Sequence, residues 1–241
     1  MKKLILLTLL STLLSSISFA GQTIYSAANN ITFTNSKENK PFVGNGFLIN
    51  HNDKIYAVTA KHVLFEIQKS GVKTIDIKGY FDNWSLKPFN SESGVVILGT
   101  LLNAKPTEKL DMAVLQNDWL VFEVKANNSS LKALKFASED LKAGQSISAH
   151  GCTYSNQKDC KQNKYSGKYV KSQDNNLLIK LNILPEEMNT LRGLSGAPVL
   201  NSKYEVVGIV SNIIPDKETG SVYFAPFTIQ PLLKFLNKIN S

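Results

Sequence analysis

The stretch that decides the fold lies at residues 42–59 and reads FVGNGFLINHNDKIYAVT. Two short runs of apolar, aromatic and β-branched residues, 42–49 and 54–59, flank the polar segment NHND at 50–53. Short runs of this composition, separated by Gly, Asn and Asp, are typical of β-strands. The stretch therefore predicts two consecutive strands joined by a polar turn.

The same pattern recurs along the rest of the chain. Further runs lie at 72–80, 95–101, 112–115, 146–149, 177–183, 197–200 and 206–210. Helical spacing of apolar residues is confined to one short turn at 63–68 and to residues 228–239. Because short strands recur without strand–helix alternation, the sequence predicts an all-β sandwich or barrel.

The N-terminus has the composition of an export signal. Lys2 and Lys3 precede an apolar run at 4–14, and small side chains stand one and three positions before a cut after Ala20. This order is typical of a secretory signal peptide. A membrane anchor is the alternative, but a span needs about 20 apolar residues. We expect a signal peptide at 1–20, a secreted or periplasmic protein, and no stable membrane insertion.

The remaining chain divides near its middle. Residues 125–130 read KANNSS, which is typical of a loop. We therefore expect two units of similar length, an N-terminal unit at 21–128 and a C-terminal unit at 129–241 that includes the terminal helix.

The formal net charge of the chain is +8, and its lysines are scattered. The densest run comprises Lys158, Lys161, Lys164, Lys168 and Lys171. We interpret this run as a solvated surface loop; a patch that attracts anionic surfaces is the alternative. No nucleic-acid motif accompanies it, so we expect no nucleic-acid partner.

Cys152 and Cys160 are the two cysteines of the chain. In an exported protein, an even number of cysteines close together in sequence predicts one local disulfide. Two free thiols are the alternative. A zinc site that includes the neighbouring His150 lacks an obvious fourth ligand, so we expect a disulfide and no metal.

A candidate nucleophile lies in residues 192–200, which read RGLSGAPVL. Gly193 and Gly196 allow the backbone to turn tightly around Ser195. Such a turn exposes the hydroxyl and can point the N–H groups of Gly193 and Ser195 at a developing oxyanion. Read alone, the segment also fits an ordinary loop before the next strand.

A serine hydroxyl is a weak nucleophile without a general base. Of the three histidines, His62 follows the second predicted strand directly, whereas His51 lies in the polar turn and His150 adjoins a cysteine. Asp111 stands directly ahead of the predicted strand at 112–115, where a buried carboxylate would need a partner such as His62. A turn residue is the alternative for Asp111.

Together these segments resemble the trypsin-like (chymotrypsin-fold) serine peptidases. Residues 59–62 (TAKH) match the family's Thr-Ala-x-His, residues 111–115 (DMAVL) its Asp-hydrophobic-Ala-hydrophobic-hydrophobic, and residues 193–198 (GLSGAP) its Gly-x-Ser-Gly-x-Pro. Residues 44–49 resemble the strand that enters the first barrel. Residues 206–210 resemble the strand that follows the nucleophile. The resemblance is to the bacterial branch of HtrA proteases and V8-type glutamyl endopeptidases, without a PDZ domain.

The resemblance implies an all-β fold of two six-stranded antiparallel barrels (the trypsin-like double barrel) with a C-terminal α-helix. It implies a secreted serine endopeptidase that works through an acyl-enzyme, with His62, Asp111 and Ser195 as the triad and the amides of Gly193 and Ser195 as the oxyanion hole. The substrate would be a protein or peptide, and no cofactor would be needed. We expect a monomer.

Four residues refine what the resemblance implies about activation and substrate specificity. Leu194 stands where the family usually has Asp or Asn, so activation by an ion pair with a new N-terminus is not expected. Asn189 stands where a basic-specific trypsin has an aspartate. Thr190 matches a threonine of the V8-type pocket, but Val210 replaces the histidine there, and burying an unpaired glutamate is costly. We expect a pocket of Asn189, Thr190 and Val210 that takes a small or apolar side chain.

Two alternative functions compete with this expectation. A catalytically quiet protein of the same fold could bind a partner through the cleft between the barrels, because fold alone does not fix function. An esterase of the α/β-hydrolase fold is disfavoured, because there the serine precedes the acid and the histidine.

Overall fold

The structure is a computed structural model, which describes residues 22–183 and 185–241. The predicted signal peptide at 1–20 lies outside the described residues.

The first half of the chain forms a closed barrel. Its strands, numbered in chain order together with two short strands beside the barrel, are β1 (Ala27–Thr32), β2 (Asn45–His51), β3 (Lys54–Thr59), β4 (Thr74–Ile75), β5 (Asn83–Lys87), β6 (Val96–Leu101), β7 (Lys105–Lys109), β8 (Leu120–Asn127) and β9 (Ala133–Leu134). Six of them pair in the order β1-β5-β6-β8-β3-β2, and the pairing of β1 with β2 closes the ring. β9 adds to β2 in the parallel direction, while β4 and β7 form a separate two-stranded sheet.

The second half forms another closed barrel of six antiparallel strands. They are β10 (Ser146–Gly151), β11 (Asn163–Gln173), β12 (Asn176–Leu181), β13 (Pro198–Leu200), β14 (Val206–Pro215) and β15 (Val222–Thr228). Their order around the ring is β10-β11-β12-β15-β14-β13. One α-helix, α1 (Gln230–Ile239), follows. The expected pair of six-stranded barrels with a C-terminal helix is therefore confirmed.

The opening stretch folds as its sequence predicts. β2 and β3 form a hairpin in which Phe47 faces Val58, and both side chains are buried. Asn52 and Asp53 connect the strands with φ values of 51° and 60°. Two consecutive positive φ values are what a tight hairpin turn requires, and Asn and Asp tolerate them better than most residues.

One predicted strand is a helix instead. Residues 112–115 belong to a 3-10 helix, Met112–Asn117, and the Asp111 carboxylate caps it by accepting the Ala113 N–H at 2.9 Å. Only Val114 of this helix is buried. An aspartate that caps the N-terminus of a helix satisfies a donor that would otherwise lack a partner, so here capping prevails over strand formation.

The two barrels share part of their packing. The largest apolar cluster contains Phe47 and Phe122 of the first barrel together with Ile209 and Phe227 of the second. Leu232 and Leu236 of α1 are fully buried in the same cluster. The division after residue 128 stays a prediction, since β9 and α1 both follow it in sequence and pack on the first barrel. Among the described residues, no helix is long and apolar enough to cross a membrane.

Candidate active site

His62 is placed by the end of β3. The strand stops at Thr59, and a 3-10 helix, Lys61–Ser70, begins two residues later, so His62 lies in its first turn. The neighbouring Lys61 side chain is buried and forms an ion pair with Glu108 of β7 at 2.6 Å. The strand end and the ion pair together fix the backbone that carries the imidazole.

The carboxylate beside His62 belongs to Asp118. Its Oδ2 lies 2.6 Å from His62 Nδ1, and its Oδ1 accepts the His62 backbone N–H at 2.9 Å. The hydroxyl of Ser211, on β14 of the second barrel, donates to the same Oδ2. Asp118 is fully buried. Burial by itself would raise the pKa of Asp118, but electrostatic attraction to His62 and the hydrogen bonds from His62 and Ser211 hold it below its usual value.

Ser195 completes a continuous hydrogen-bonded chain. Its Oγ lies 2.7 Å from His62 Nε2. Ser195 comes from the loop before β13 of the second barrel, whereas His62 and Asp118 come from the first. The site therefore lies where the barrels meet, and the imidazole bridges a hydroxyl and a buried carboxylate.

The expectation for Asp111 is corrected by this geometry. Asp111 is exposed, and its carboxylate caps the helix Met112–Asn117, whereas Asp118 follows the C-terminus of the same helix and contacts His62. The antiparallel register explains the difference: Thr59 of β3 faces Leu120 of β8, so the residues just before β8 lie beside those just after β3. Asp118 stands two residues ahead of the apolar strand β8, so its sequence position is similar to that of Asp111, which directly precedes a predicted strand.

Ser211 was not among the candidate residues. It follows the predicted strand 206–210 directly, and its hydroxyl reaches across the interface to Asp118. Its position at the edge of a buried strand was visible in the sequence. The contact between its hydroxyl and a carboxylate of the other barrel was not.

The backbone around Ser195 has the shape that its glycines permit. Gly193 and Gly196 have φ values of 94° and 81°. A Cβ on Gly193 would lie 2.7 Å from the Tyr154 nitrogen, and one on Gly196 would lie 2.1 Å from the Asn45 oxygen. Within residues 22–183 and 185–241, the N–H groups of Gly193 and Ser195 have no hydrogen-bond acceptor. Two unpaired donors beside a serine hydroxyl are what an oxyanion hole requires.

Leu194 has an apolar role in this loop. It is fully buried in the core of the second barrel, where it packs with Ala197 and Val199. Its N–H donates to Leu191 at 3.0 Å, and its carbonyl accepts the Ala197 N–H at 3.0 Å. In this chain the loop is anchored by a buried apolar side chain.

A pocket of about 190 Å³ opens beside Ser195. It is lined by Met188, Asn189, Leu191, Arg192, Ser195, Val210, Ser211, Asn212, Ile213 and Phe224. Asn189 and Val210 both line it. Thr190 is absent from the described lining, because it is exposed and its hydroxyl donates to the Glu187 carbonyl at 2.6 Å. Arg192 carries the only formal charge among the described lining residues.

The remaining cysteine and histidine expectations can be compared with the structure. Cys152 and Cys160 form a disulfide, which confirms the predicted pairing and leaves no thiol for zinc. His150 is buried, its Nε2 lies 2.9 Å from the Ser148 hydroxyl, and burial lowers its pKa to about 4. Its ring packs edge-on against Tyr25. His150 is therefore a neutral core residue of the second barrel.

Comparison with known proteins agrees with this geometry. A family model described as the trypsin-like peptidase domain matches residues 44–209. The chain belongs to the trypsin-like peptidase family. A solved Glu endopeptidase in complex with MPD is 17% identical with a TM-score of 0.57, and the match covers 91% of this chain and 94% of that chain.

A second solved structure, the Rv3671c protease from M. tuberculosis in its active form, is 14% identical to this peptidase with a TM-score of 0.55. The match covers 91% of this chain and 82% of that chain. At these identities the two structures support the shared fold and carry no information about the peptide bond that is cut.

Proposed function

We propose that the protein is an exported serine endopeptidase that cleaves protein or peptide substrates through an acyl-enzyme. The observation that carries this proposal is the chain of contacts from Ser195 Oγ through the His62 ring to Asp118, beside two unpaired backbone N–H groups. A hydroxyl, a base and an orienting carboxylate in this geometry are the parts that nucleophilic acyl transfer needs.

Each residue has a defined part in the proposed reaction. Ser195 Oγ attacks the scissile carbonyl while His62 Nε2 accepts its proton, and the same nitrogen then returns the proton to the leaving amine. Asp118 holds the Nδ1–H tautomer and stabilises the imidazolium. The Gly193 and Ser195 N–H groups bind the oxyanion, and water hydrolyses the ester by the reverse sequence.

Specificity is proposed from the pocket beside Ser195. Ile213 and Phe224 are cross-strand partners on β14 and β15, and both line the pocket. With about 190 Å³ and these apolar walls, the pocket suits a small or medium apolar side chain. A substrate lysine would find no carboxylate among the described lining residues, so a basic residue at this position is disfavoured.

Export is proposed on two grounds. The N-terminal sequence pattern is typical of a signal peptide, and a disulfide is typical of oxidising compartments outside the cytosol. A secreted or periplasmic location follows from these features. A monomer stays the expectation.

A catalytically quiet binding protein is the alternative, and an apolar Leu194 would favour it if that residue altered the oxyanion loop. In the structure this side chain fills core space, and the loop around it still presents two unpaired donors. No other observation favours the quiet protein, so we propose an active enzyme.

The first test is covalent labelling of Ser195. The full chain, expressed for export and purified, is treated with a fluorophosphonate at neutral pH, and the intact mass is compared with that of Ser195→Ala. We expect one adduct on the wild type and none on the variant. A folded wild type that acquires no adduct would contradict the proposed activity.

A further inference from the structure

The Ser195 loop is held in place by an amide side chain from the other barrel. Asn45, at the start of β2, is fully buried and lies against the loop. Its Nδ2 donates to the Gly193 carbonyl at 2.7 Å and to the Cys152 carbonyl at 2.9 Å. Its Oδ1 accepts the Cys152 N–H at 3.1 Å, so every hydrogen-bonding group of the amide is used.

These bonds help to restrain the two peptide groups that flank Gly193. Glycine rotates more freely than any other residue, so its two flanking peptide groups need external restraint. The preceding peptide is held through the Arg192 carbonyl, which accepts the Tyr154 N–H at 2.9 Å. The following peptide is held through the Gly193 carbonyl, which accepts from Asn45.

A hydrogen bond that fixes the direction of a carbonyl also fixes the direction of the N–H in the same peptide group. In a planar trans peptide the two groups point in opposite directions. With the Arg192 carbonyl bound to Tyr154, the Gly193 N–H must point away from Tyr154, and this is one of the two unpaired donors. The Leu194 carbonyl, bound to Ala197, fixes the Ser195 N–H in the same way.

Asn45 also binds the loop through its backbone. Its N–H donates to the Ser195 carbonyl at 2.6 Å, and its carbonyl accepts from Asn29 and from the Thr59 hydroxyl inside the first barrel. The residue therefore links the barrel that carries His62 to the loop that carries Ser195. It also fixes Cys152, the first residue of the disulfide loop that contains Tyr154.

We propose that Asn45 is a positioning residue that sets the oxyanion-binding donors of the Ser195 loop, in a chain whose Leu194 supplies no charge to anchor that loop. This inference rests on the proposed peptidase activity. It assigns a role in transition-state binding to a side chain that touches neither the substrate nor the reacting atoms.

The test compares Asn45→Ala with Gln162→Ala. Gln162 is also a buried amide, which accepts two backbone N–H groups and donates to one carbonyl of segment 23–26, and among the described residues its side chain has no hydrogen bond to Asn45 or to the Ser195 loop. For each variant, kcat and KM for a peptide substrate, the rate of fluorophosphonate labelling and the thermal midpoint are measured. Binding of a peptidyl trifluoromethyl ketone, which forms an oxyanion, is compared with binding of the matching peptide amide.

For Asn45→Ala we expect kcat to fall about 100-fold, as when one oxyanion donor is removed, with KM nearly unchanged. Ketone affinity and labelling rate should fall with kcat, while affinity for the peptide amide is retained. Gln162→Ala should lower the thermal midpoint and leave kcat within about threefold of the wild type. Asn45→Ser, which keeps one donor, should lie between the wild type and Asn45→Ala.

Three outcomes would overturn the inference. An Asn45→Ala enzyme with wild-type kcat would do so, as would equal losses of ketone and amide binding, or a Gln162→Ala variant with the same fall in kcat. If Asn45→Ala does not fold, Asn45→Ser decides by the same measurements. A folded wild type without labelling or hydrolysis would instead refute the proposed activity itself, and the inference with it.

Discussion

The substitution Asp118→Asn tests which of the two candidate carboxylates, Asp118 or Asp111, acts on His62. The change conserves shape and leaves an oxygen that can still accept the His62 backbone N–H, but it removes the negative charge and places an amide NH2 2.6 Å from His62 Nδ1. An amide can donate to the imidazole, which favours the tautomer with its proton on Nε2, and that nitrogen can then no longer accept the Ser195 proton. The analogous change in a serine protease triad lowers kcat about 10⁴-fold, which corresponds to about 5.5 kcal/mol.

The matched control is Asp111→Asn. Asp111 is exposed and caps the helix Met112–Asn117, and Asn caps helices about as well as Asp. We expect its kcat to stay within about twofold of the wild type and its stability to change by less than about 0.5 kcal/mol. The assay is steady-state hydrolysis of a peptide substrate, with labelling of Ser195 as the active-site count. A loss confined to Asp111→Asn would refute the assignment of Asp118.

The remaining predictions concern the ion pair, a core histidine and the pocket. Glu108→Gln should destabilise the fold by about 3 kcal/mol in denaturant titration, because it leaves the Lys61 ammonium buried and unpaired, whereas Lys61→Met should cost less; equal costs would argue against a buried-charge effect. His150 has its pKa lowered to about 4, so the unfolded chain binds more protons below pH about 6.5, and stability should fall by at most about 3 kcal/mol as pH drops from there to about 4. A folded His150→Gln variant should show a shallower pH dependence over this range, and an unchanged slope would contradict the assignment. Ile213→Gly should open the pocket and raise kcat/KM for a large aromatic side chain relative to a small one by at least about tenfold; unchanged selectivity would remove Ile213 from the specificity wall.

The sequence predicted the elements whose signal is local. The hairpin of β2 and β3 follows from two apolar runs around a turn of residues that tolerate positive φ. The helix α1 follows from apolar residues at helical spacing, two of which, Leu232 and Leu236, are fully buried. The turn around Ser195 follows from Gly193 and Gly196, because a Cβ at either position would overlap neighbouring atoms. In each case the information lies within about a dozen neighbouring residues.

The choice between Asp111 and Asp118 required information that is not local. The two carboxylates flank one short helix, and either could precede a strand. The pairing of β3 with β8 determines which of them meets His62, and these strands lie far apart in sequence. A shift in the pairing of two strands changes which side chains face each other, so composition and periodicity could not decide between the two acids.

The same limit explains why the sequence alone did not indicate Asn45 and Ser211. Their contacts also show how the two barrels build the site. Each lies on a strand of one barrel and makes a decisive hydrogen bond to the other barrel: Asn45 to Gly193 and Ser211 to Asp118. His62 also spans the interface, between Asp118 and Ser195. The two barrels therefore hold the His62 imidazole and the Ser195 hydroxyl in place together. Because the barrels share one apolar cluster that includes Ile209 and Phe227, the packing that joins them also determines the geometry of the site.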